Sequence, residues 1–508
     1  MTKNFIEFFK TLNEKQVLLL LIGIVFGLRF YAVLMAQGIA FDSAGYGFWA
    51  RDFLKGHFAK GLSSPAPPLY PFLISLLSPD TTHVEIAGRL LSLFFGTLAV
   101  IPLFYLIKGA VGQKEAVVSA VFYAFHPYLV TYSGTLLTEA TYWGLLVLSV
   151  YSFWTGLKKE KAWRMALSGC FLGLAYLTRP EGIGYVLVYL VWIIVEGVLR
   201  KKWSKKLILM GVLIPSVLVF VIPYVFYIHQ ETGQWLISKK AVAQQSQFLG
   251  RGAGEGDSSR GIEQNKSLEK NSKIRMIIGN IVKYIPHVTY HYLRAYHFSL
   301  WLFLFFGLIR VRRKVIAYEL FLASLVLFHL FSISTFNPST TRFSIPVIPL
   351  SLFWAGIGVF EIKRYLEKIS IWNPEKVTFL LIIVVILTQL PVDLKPERGF
   401  RAWRKEIGLW LKQNTPQDAI IMSNRPQEVF YADREFRLLP MGISHRGIPG
   451  KSYSEIIEYA RAIGVRYILV DKNTYETNPG FIESIQSKDL KEIFRKADRG
   501  LVIYEVIY

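Results

Sequence analysis

The sequence has 508 residues, of which 52% are hydrophobic and only 19% are charged, and its mean hydropathy is +0.35. A soluble protein usually carries about 25% charged residues, so this composition excludes an ordinary soluble protein. The formal net charge of +22 would suit a nucleic-acid-binding protein, but the basic residues lie in short clusters between apolar runs, which is the pattern that orients membrane proteins. We therefore predict a polytopic α-helical membrane protein that binds no nucleic acid.

Apolar runs long enough, or nearly long enough, to cross a hydrocarbon layer of ~30 Å recur along most of the chain. Basic clusters such as "RKKWSKK" (200–206) and "RVRRK" (310–314) would all face the cytoplasm if the runs alternate in direction. The N-terminus would then be cytoplasmic and residues 392–508 extracytoplasmic. About eleven spans are predicted in chain order: 17–36, 84–107, 115–131, 137–156, 165–178, 183–199, 207–228, 295–309, 315–334, 344–360 and 376–391.

Two predicted extracytoplasmic connections within this transmembrane domain (residues 1–391) are long. The first, 37–83, contains "SSPAPPLYPFL" (63–73), whose prolines predict a departure from regular helix. The other, 229–294, is rich in glycine, serine and charged residues, which predicts a flexible loop. Its glycines do not have the spacing of a phosphate-binding loop, so nucleotide binding is not expected there.

The tail, residues 392–508, has a different character. Three short runs predict buried strands, and "YSEIIEYARAIG" (453–464) has apolar residues at helical spacing. The predicted strands are 418–423, 465–471 and 501–506. We expect a small extracytoplasmic α/β domain. No glycine-rich phosphate turn follows any of its strands, and it contains no recognisable catalytic constellation.

Ionisable side chains at the outer ends of spans are the candidates for chemistry, because such groups are costly against lipid and usually face a cavity. Asp42 follows the first predicted span and Glu139 begins the fourth. Each also has a structural interpretation: Asp42 as a solvated loop carboxylate, and Glu139 as a carboxylate favoured by the helix dipole. Arg179 and Glu181 in "YLTRPEG" could simply pair with each other, and His126 could be a hydrogen-bonded interfacial residue.

Cationic side chains near the same outer ends could bind an anionic lipid phosphate. Arg342, in "TRFSIPVIPL" (341–350), begins a late apolar span, where it could equally snorkel to the interface. Arg294 and the Lys239–Lys240 pair are further candidates.

Several of these segments, taken in order, resemble the dolichyl-phosphate-mannose-protein mannosyltransferase superfamily, which includes the lipid A aminoarabinose transferases. The resemblance covers most of residues 15–391 and implies a GT-C fold. The segments that carry it are "DSAGY" (42–46), "PPLYPFL" (67–73), "GRLLSLFFGTLAVIPLFYLI" (88–107), "TE" (138–139), "GLAYLTRPEG" (173–182) and "TRFSIPVIPL" (341–350).

The resemblance implies an inverting transfer of one sugar from a polyprenyl-phosphate carrier to a protein, lipid or glycan acceptor at the outer face of the membrane. Asp42 would be the general base, and Glu139 would assist acceptor or divalent-ion binding. A metal ion held by Asp42 and Glu139 is left open as a cofactor. The residues expected to bind substrate are Tyr46, Tyr70, His126, Arg179, Glu181, Arg294 and Arg342.

Simple chemistry supports the same assignment. An inverting transfer needs one carboxylate to take the acceptor proton, and the departing phosphate needs a positive group. Two alternatives remain open: a secondary transporter, which would show an inverted repeat and charges near the midplane, and a non-catalytic polyprenyl-lipid-binding protein. Turnover of a radiolabelled lipid-linked sugar would separate the transferase from both.

Overall fold

The computed structural model describes residues 13–201, 203–239, 266–309, 312–335, 340–369, 373–395, 401–439, 452–472, 474 and 479–508. Within these residues the chain is predominantly helical. The first α-helices are α1 Glu14–Leu34, α2 Phe41–Leu54, α3 Phe58–Leu62, α4 Leu69–Leu77, α5 Val84–Leu98, α6 Val100–Val111, α7 Gln113–Phe125, α8 Pro127–Ser133, α9 Glu139–Lys159, α10 Ala162–Tyr176 and α11 Tyr185–Arg200. They are followed by α12 Trp203–Thr232, α13 Lys266–Tyr296, α14 Trp301–Ile309, α15 Ile316–Ser334, α16 Ile348–Lys368, α17 Pro374–Asp393, α18 Ala402–Asn414, α19 Pro426–Ala432, α20 Tyr453–Ala462 and α21 Pro479–Glu483.

Seven helical stretches of the described chain are long and apolar enough to cross a membrane, or eight if the pair Ile278–Tyr296 and Phe298–Ile309, bent by 82°, forms one span. The prediction of a polytopic helical membrane protein is thereby confirmed in this coarse form. Each of the predicted spans falls on helical segments, but 84–107, 115–131 and 295–309 are each divided between two α-helices. Some helices are also short: α10, for example, has 15 residues. The figure of about eleven spans therefore stays a prediction.

The predicted loop 229–294 differs most from the structure. The helix α12 continues to Thr232, and α13 begins at Lys266, so the prediction is wrong for residues 266–294. Residues 240–265 lie outside the described part of the chain. Composition concealed the helix, because the segment is polar on average, yet Val288, Tyr292 and Ala295 recur at helical spacing and are buried.

The proline-rich segment departs from helix over a shorter stretch than its composition predicts. The helix α4 begins at Leu69 and includes Pro71 in its first turn. Proline is tolerated there because its missing N–H would have no partner within the helix. The irregular part is therefore confined to the residues before Leu69.

The tail folds around a five-stranded sheet with the order β2-β1-β3-β5-β4. The strand β1 pairs in parallel with β2 and β3, whereas β5 pairs antiparallel with β3 and β4. The predicted strands correspond to β1, β3 and β5, and the predicted helix to α20; β2 and β4 were not predicted, because they alternate charged and apolar residues with little burial. The strands are β1 Ile420–Ser423, β2 Glu435–Leu438, β3 Val465–Val470, β4 Leu490–Lys496 and β5 Leu501–Val506.

The sheet domain packs directly on α2, the helix that follows the first apolar span, through the short helix α19. Phe430 of α19 belongs to the same apolar core as Ala44 and Ala50 of α2. The guanidinium of Arg51 donates hydrogen bonds to the carbonyl oxygens of Phe430 and Thr81, both at 2.9 Å. The position of α2, which carries Asp42, is therefore fixed partly by the C-terminal domain.

Substituting Gly47 by alanine is expected to loosen this contact. A Cβ atom at Gly47 would lie 2.3 Å from the Phe430 ring, which is inside van der Waals contact, so the ring or the helices that carry the two residues must shift. Overpacking of this kind typically costs ~1–3 kcal/mol of unfolding free energy. Thermal unfolding of Gly47→Ala should begin at a lower temperature than that of Gly27→Ala, whose added Cβ meets nothing within 4 Å. Equal unfolding temperatures for the two variants would contradict the close packing.

Candidate active site

Arg342 connects the two carboxylates that the sequence singles out. It lies in a 3-10 helix, Thr341–Val347, just before α16. Its Nη1 donates to Asp42 Oδ2 at 2.5 Å, and its Nε donates to Glu139 Oε1. Three segments that are far apart in sequence thus meet at a single guanidinium.

Glu139 is the buried centre of this cluster. It is the first residue of α9 and has no solvent exposure. Its Oε1 also accepts a hydrogen bond from Arg179 Nη1 at 2.9 Å. The other oxygen, Oε2, is buried and has no hydrogen-bond partner in the part of the chain that is described. An acceptor oxygen left unpaired in a protein interior needs an explanation, and a bound hydroxyl group would supply one.

Arg179 holds the second positive charge of the cluster. It follows α10 immediately before the 3-10 helix Pro180–Gly184, and its Nη2 lies 3.5 Å from Glu181 Oε1. The predicted pairing of Arg179 with Glu181 is present, together with the contact to Glu139. The guanidinium also lies 5.4 Å from the ring centroid of Phe343, a contact that the sequence did not suggest.

Asp42 is the exposed member of the cluster. It lies in the first turn of α2, where the helix dipole favours a negative charge, and its side chain is 51% exposed. One turn later, Tyr46 is buried, with its ring edge-on to Tyr70 at a centroid distance of 5.4 Å. Burial raises the pKa of Tyr46 to about 12, so its hydroxyl stays protonated near neutral pH and can donate a hydrogen bond.

A cavity of about 1060 Å³ opens beside Asp42, between α2 and the sheet domain. Its walls include Tyr46 and Trp49 from α2 and Asp433 and Phe436 from the domain. The exposed Asp42 carboxylate can therefore meet a molecule that enters between the two. No sequence signal predicted the contribution of the domain, because it depends on how the tail docks on α2.

Two of the predicted substrate-binding residues have other partners. Tyr70 uses its hydroxyl to bind the Gly88 carbonyl at 3.1 Å and Ser92 Oγ at 3.0 Å, which ties α4 to α5. His126 is completely buried, and its Nε2 lies 3.3 Å from the Tyr296 carbonyl oxygen. The structure places both outside the ion-pair cluster.

The remaining cationic candidates are also separate from the cluster. Arg294 is exposed on α13. Lys239 pairs with Glu231 and donates to the Leu62 carbonyl oxygen at 2.8 Å, and Lys240 lies outside the described residues. Of the predicted cations, Arg342 and Arg179 are the ones that the structure brings to the carboxylates.

Asp42 and Glu139 do not fit a divalent metal ion in this arrangement. The Arg342 guanidinium binds both carboxylates, and a metal ion between them would have to displace it against charge repulsion. Throughout the described chain, no group of three or more histidine, cysteine, aspartate or glutamate side chains is arranged to hold a metal ion. We therefore derive no step through a metal.

Part of the chain matches a known protein family. Residues 65–227 match the sequence model of the family described as dolichyl-phosphate-mannose-protein mannosyltransferase. No curated protein sequence gives a significant match to the chain.

Solved structures resemble nearly the whole chain. ArnT from Cupriavidus metallidurans, bound to undecaprenyl phosphate, is 12% identical with a TM-score of 0.63; the match covers 96% of this chain and 98% of that chain. The apo oligosaccharyltransferase of Archaeoglobus fulgidus is 12% identical with a TM-score of 0.52, over 91% of this chain and 70% of that chain. AglB from Archaeoglobus fulgidus, in complex with an inhibitory peptide and a dolichol-phosphate, is 10% identical with a TM-score of 0.50, over 95% and 74%.

At such low identities the structural matches establish the fold alone. The resemblance inferred from the sequence motifs is confirmed: the chain has the fold of these GT-C glycosyltransferases, and residues 65–227 carry the sequence pattern of the dolichyl-phosphate-mannose-protein mannosyltransferase family.

Proposed function

We propose that this protein transfers a single sugar, with inversion, from a polyprenyl-phosphate carrier to a protein, lipid or glycan acceptor at the extracytoplasmic face of the membrane. The observation that carries the proposal is the shared guanidinium: Arg342 binds the exposed carboxylate of Asp42 and the buried carboxylate of Glu139. One cluster beside the cavity thus contains a candidate base, Asp42, and a candidate phosphate ligand, Arg342. It also contains a buried oxygen, Glu139 Oε2, that can accept a hydrogen bond.

In the proposed reaction, Asp42 is the general base. The acceptor oxygen attacks the anomeric carbon from the cavity side, and its proton passes to the Asp42 carboxylate. The bond between the anomeric carbon and the phosphate oxygen breaks, and the phosphate departs with the electron pair. Arg342 stabilises the charge that develops on that phosphate, because a guanidinium matches the geometry of phosphate oxygens.

In this scheme Glu139 orients the two arginines. Its Oε1 accepts hydrogen bonds from Arg179 Nη1 and Arg342 Nε, which holds the two guanidinium groups beside each other. The unpaired Oε2 can accept a hydrogen bond from a sugar hydroxyl. Arg179 would then help to neutralise the buried carboxylate, so that Arg342 is free to share its remaining N–H groups with the donor.

The decisive experiment is single-turnover transfer by the purified full-length protein. A radiolabelled polyprenyl-phosphate sugar and an extract of candidate acceptors should give labelled acceptor, and NMR of the product should show the anomeric configuration opposite to that of the donor. Saturable donor binding without transfer would favour a lipid-binding protein. Substrate uptake into proteoliposomes without transfer would favour a transporter.

Removal of metal ions is expected to leave transfer unchanged, because we propose that Arg342 performs the charge neutralisation that a divalent ion would otherwise supply. Protein dialysed against EDTA should keep its turnover rate, measured with donor in excess, and added Mg²⁺ or Mn²⁺ should not raise it. Transfer that disappears with EDTA and returns with either ion would overturn this part of the proposal. Dialysis without EDTA is the matched control.

A further inference from the structure

The strand β2 forms one edge of the sheet. In the described part of the chain its only neighbouring strand is β1, because the sheet order is β2-β1-β3-β5-β4. Of its four residues, all but Phe436 are exposed. A strand at the edge of a sheet has backbone N–H and C=O groups on its outer side that no neighbouring strand satisfies. Such groups can pair with an added chain.

The pairing of β2 with β1 shows which backbone groups are on the outer side. The Leu439 N–H donates to the Ser423 carbonyl oxygen at 3.0 Å, so Leu439 faces β1. Successive residues of a strand direct these groups to opposite sides. Those of Phe436 and Leu438 therefore point away from β1, as two N–H donors and two C=O acceptors ~7 Å apart along the strand. Outside the ladder with β1, none of the four has a hydrogen-bond partner within the described residues.

The cavity of about 1060 Å³ runs along this outer side of β2. The consecutive residues 433–438 include the whole strand, and all except the buried-side contact of Phe436 are exposed where they line it. Neighbouring side chains of a strand point to opposite faces of the sheet, so a cavity that contacts all of them lies along the edge. The helix α2 forms the other wall, where Phe48 stacks on the Phe436 ring at a centroid distance of 5.8 Å and Trp49 lines the space.

An extended polypeptide is the ligand whose chemistry matches this edge. Its own N–H and C=O groups recur every ~7 Å along one side, so they can pair with those of Phe436 and Leu438, as in the addition of a strand to a sheet. A sugar ring lacks this repeat, and a lipid chain lacks the polar groups. A second copy of the sheet does not fit, because α2 lies across the edge and because a short strand with charged residues, here Glu435 and Arg437, disfavours edge-to-edge pairing of sheets.

We propose that the outer edge of β2 is a docking site for an extended segment of another protein, which adds to the sheet beside β2. Its backbone pairs with the free groups of Phe436 and Leu438, and it covers the apolar side chain of Leu438, which is 60% exposed. Because the cavity also opens beside Asp42, the docked segment lies next to the candidate base. Docking itself does not depend on sugar transfer, so it goes beyond the proposed function.

Fluorescence anisotropy with the full-length protein in lipid nanodiscs tests the proposal. The probe is a fluorescein-labelled heptapeptide of alternating threonine and valine between terminal lysines, since threonine and valine favour the extended conformation. It should bind saturably to protein-containing nanodiscs and not to empty ones. The same peptide, N-methylated at every threonine and valine, keeps its side chains but loses its backbone donors. It should bind about 10- to 30-fold more weakly, as expected for two lost hydrogen bonds.

Two variants of the protein test the same contact from its other side. Leu438→Pro removes an N–H that points away from β1, and proline is tolerated at an edge in that orientation. Leu438→Val keeps the N–H and has a side chain of similar size to proline. The proline variant should bind the unmethylated peptide about fivefold more weakly than the valine variant, as expected for one lost hydrogen bond.

Three results would overturn the proposal: no saturable binding of the unmethylated peptide, equal binding of the two peptides, or equal binding by Leu438→Pro and Leu438→Val. If Leu438→Pro does not fold, the comparison of the two peptides on the unmodified protein still decides. No sugar donor is present in these measurements. Peptide binding without any sugar transfer would therefore contradict the proposed function and leave the docking site intact, whereas transfer without peptide binding would do the reverse.

Discussion

The Asp42→Asn variant is expected to transfer sugar ~10²–10⁴-fold more slowly than the unmodified protein, which is the usual contribution of a general base. Asparagine has almost the same size, and its side-chain oxygen can still accept the hydrogen bond from Arg342 Nη1. It cannot take a proton from the acceptor. Single-turnover transfer with saturating donor should therefore fall, whereas donor affinity and the unfolding temperature should change little.

Asp52→Asn is the matched control for this experiment. Asp52 lies on the same helix, α2, and lines the same cavity as Asp42. The structure gives it no contact with Arg342 or Glu139 among the described interactions, so its loss should leave single-turnover transfer within a small factor of normal. If Asp42→Asn keeps near-normal transfer, the base is not Asp42. If Asp52→Asn loses as much transfer as Asp42→Asn, the loss is not specific to Asp42 and does not support its role as the base.

Local composition was sufficient to predict a polytopic helical membrane protein, but not the number of its spans. An uninterrupted apolar run specifies a buried or lipid-facing helix by itself, so every predicted span is largely helical in the structure, although some are divided between two helices. The wrong prediction of a loop at 266–294 also came from relying on composition. The segment is polar on average, which concealed an amphipathic helix whose apolar residues are four and three positions apart. Whether a short helix such as α10 crosses the membrane depends on its neighbours, which composition cannot reveal.

Sequence reasoning selected four residues that the structure brings together, along with others that lie outside the cluster, and it did not predict the arrangement. These four were selected because each lies at the predicted outer end of a span: Asp42, Glu139, Arg179 and Arg342. Nothing in the sequence indicated that Arg342 would pair with Asp42, 300 positions away. Such pairing follows from how the helices pack. The docking of Phe430 beside Gly47 likewise depends on tertiary contacts that have no local pattern.

The second large effect is expected from Arg342→Ala. If the guanidinium binds the donor phosphate, its removal should weaken donor binding by ~10- to 100-fold, since a hydrogen bond to a charged group is worth about 1.5–3 kcal/mol. Transfer should fall further, because the phosphate also loses stabilisation as it departs. Arg342→Lys should retain part of the donor affinity and part of the transfer rate, because lysine keeps the positive charge but lacks the planar guanidinium group. Arg294→Ala, at an exposed arginine, is the control.

The same variant distinguishes a phosphate ligand from a structural bridge. If Arg342 only holds Asp42 and Glu139 together, its loss should lower the unfolding temperature and the maximal transfer rate, while donor affinity measured by equilibrium binding stays unchanged. If it binds the phosphate, donor affinity must fall even in variants that unfold at the normal temperature. The unfolding temperature and the donor affinity should therefore be measured on both Arg342→Ala and Arg342→Lys. The lysine variant keeps the positive charge whichever role the arginine has. It restores donor affinity only if Arg342 binds the phosphate.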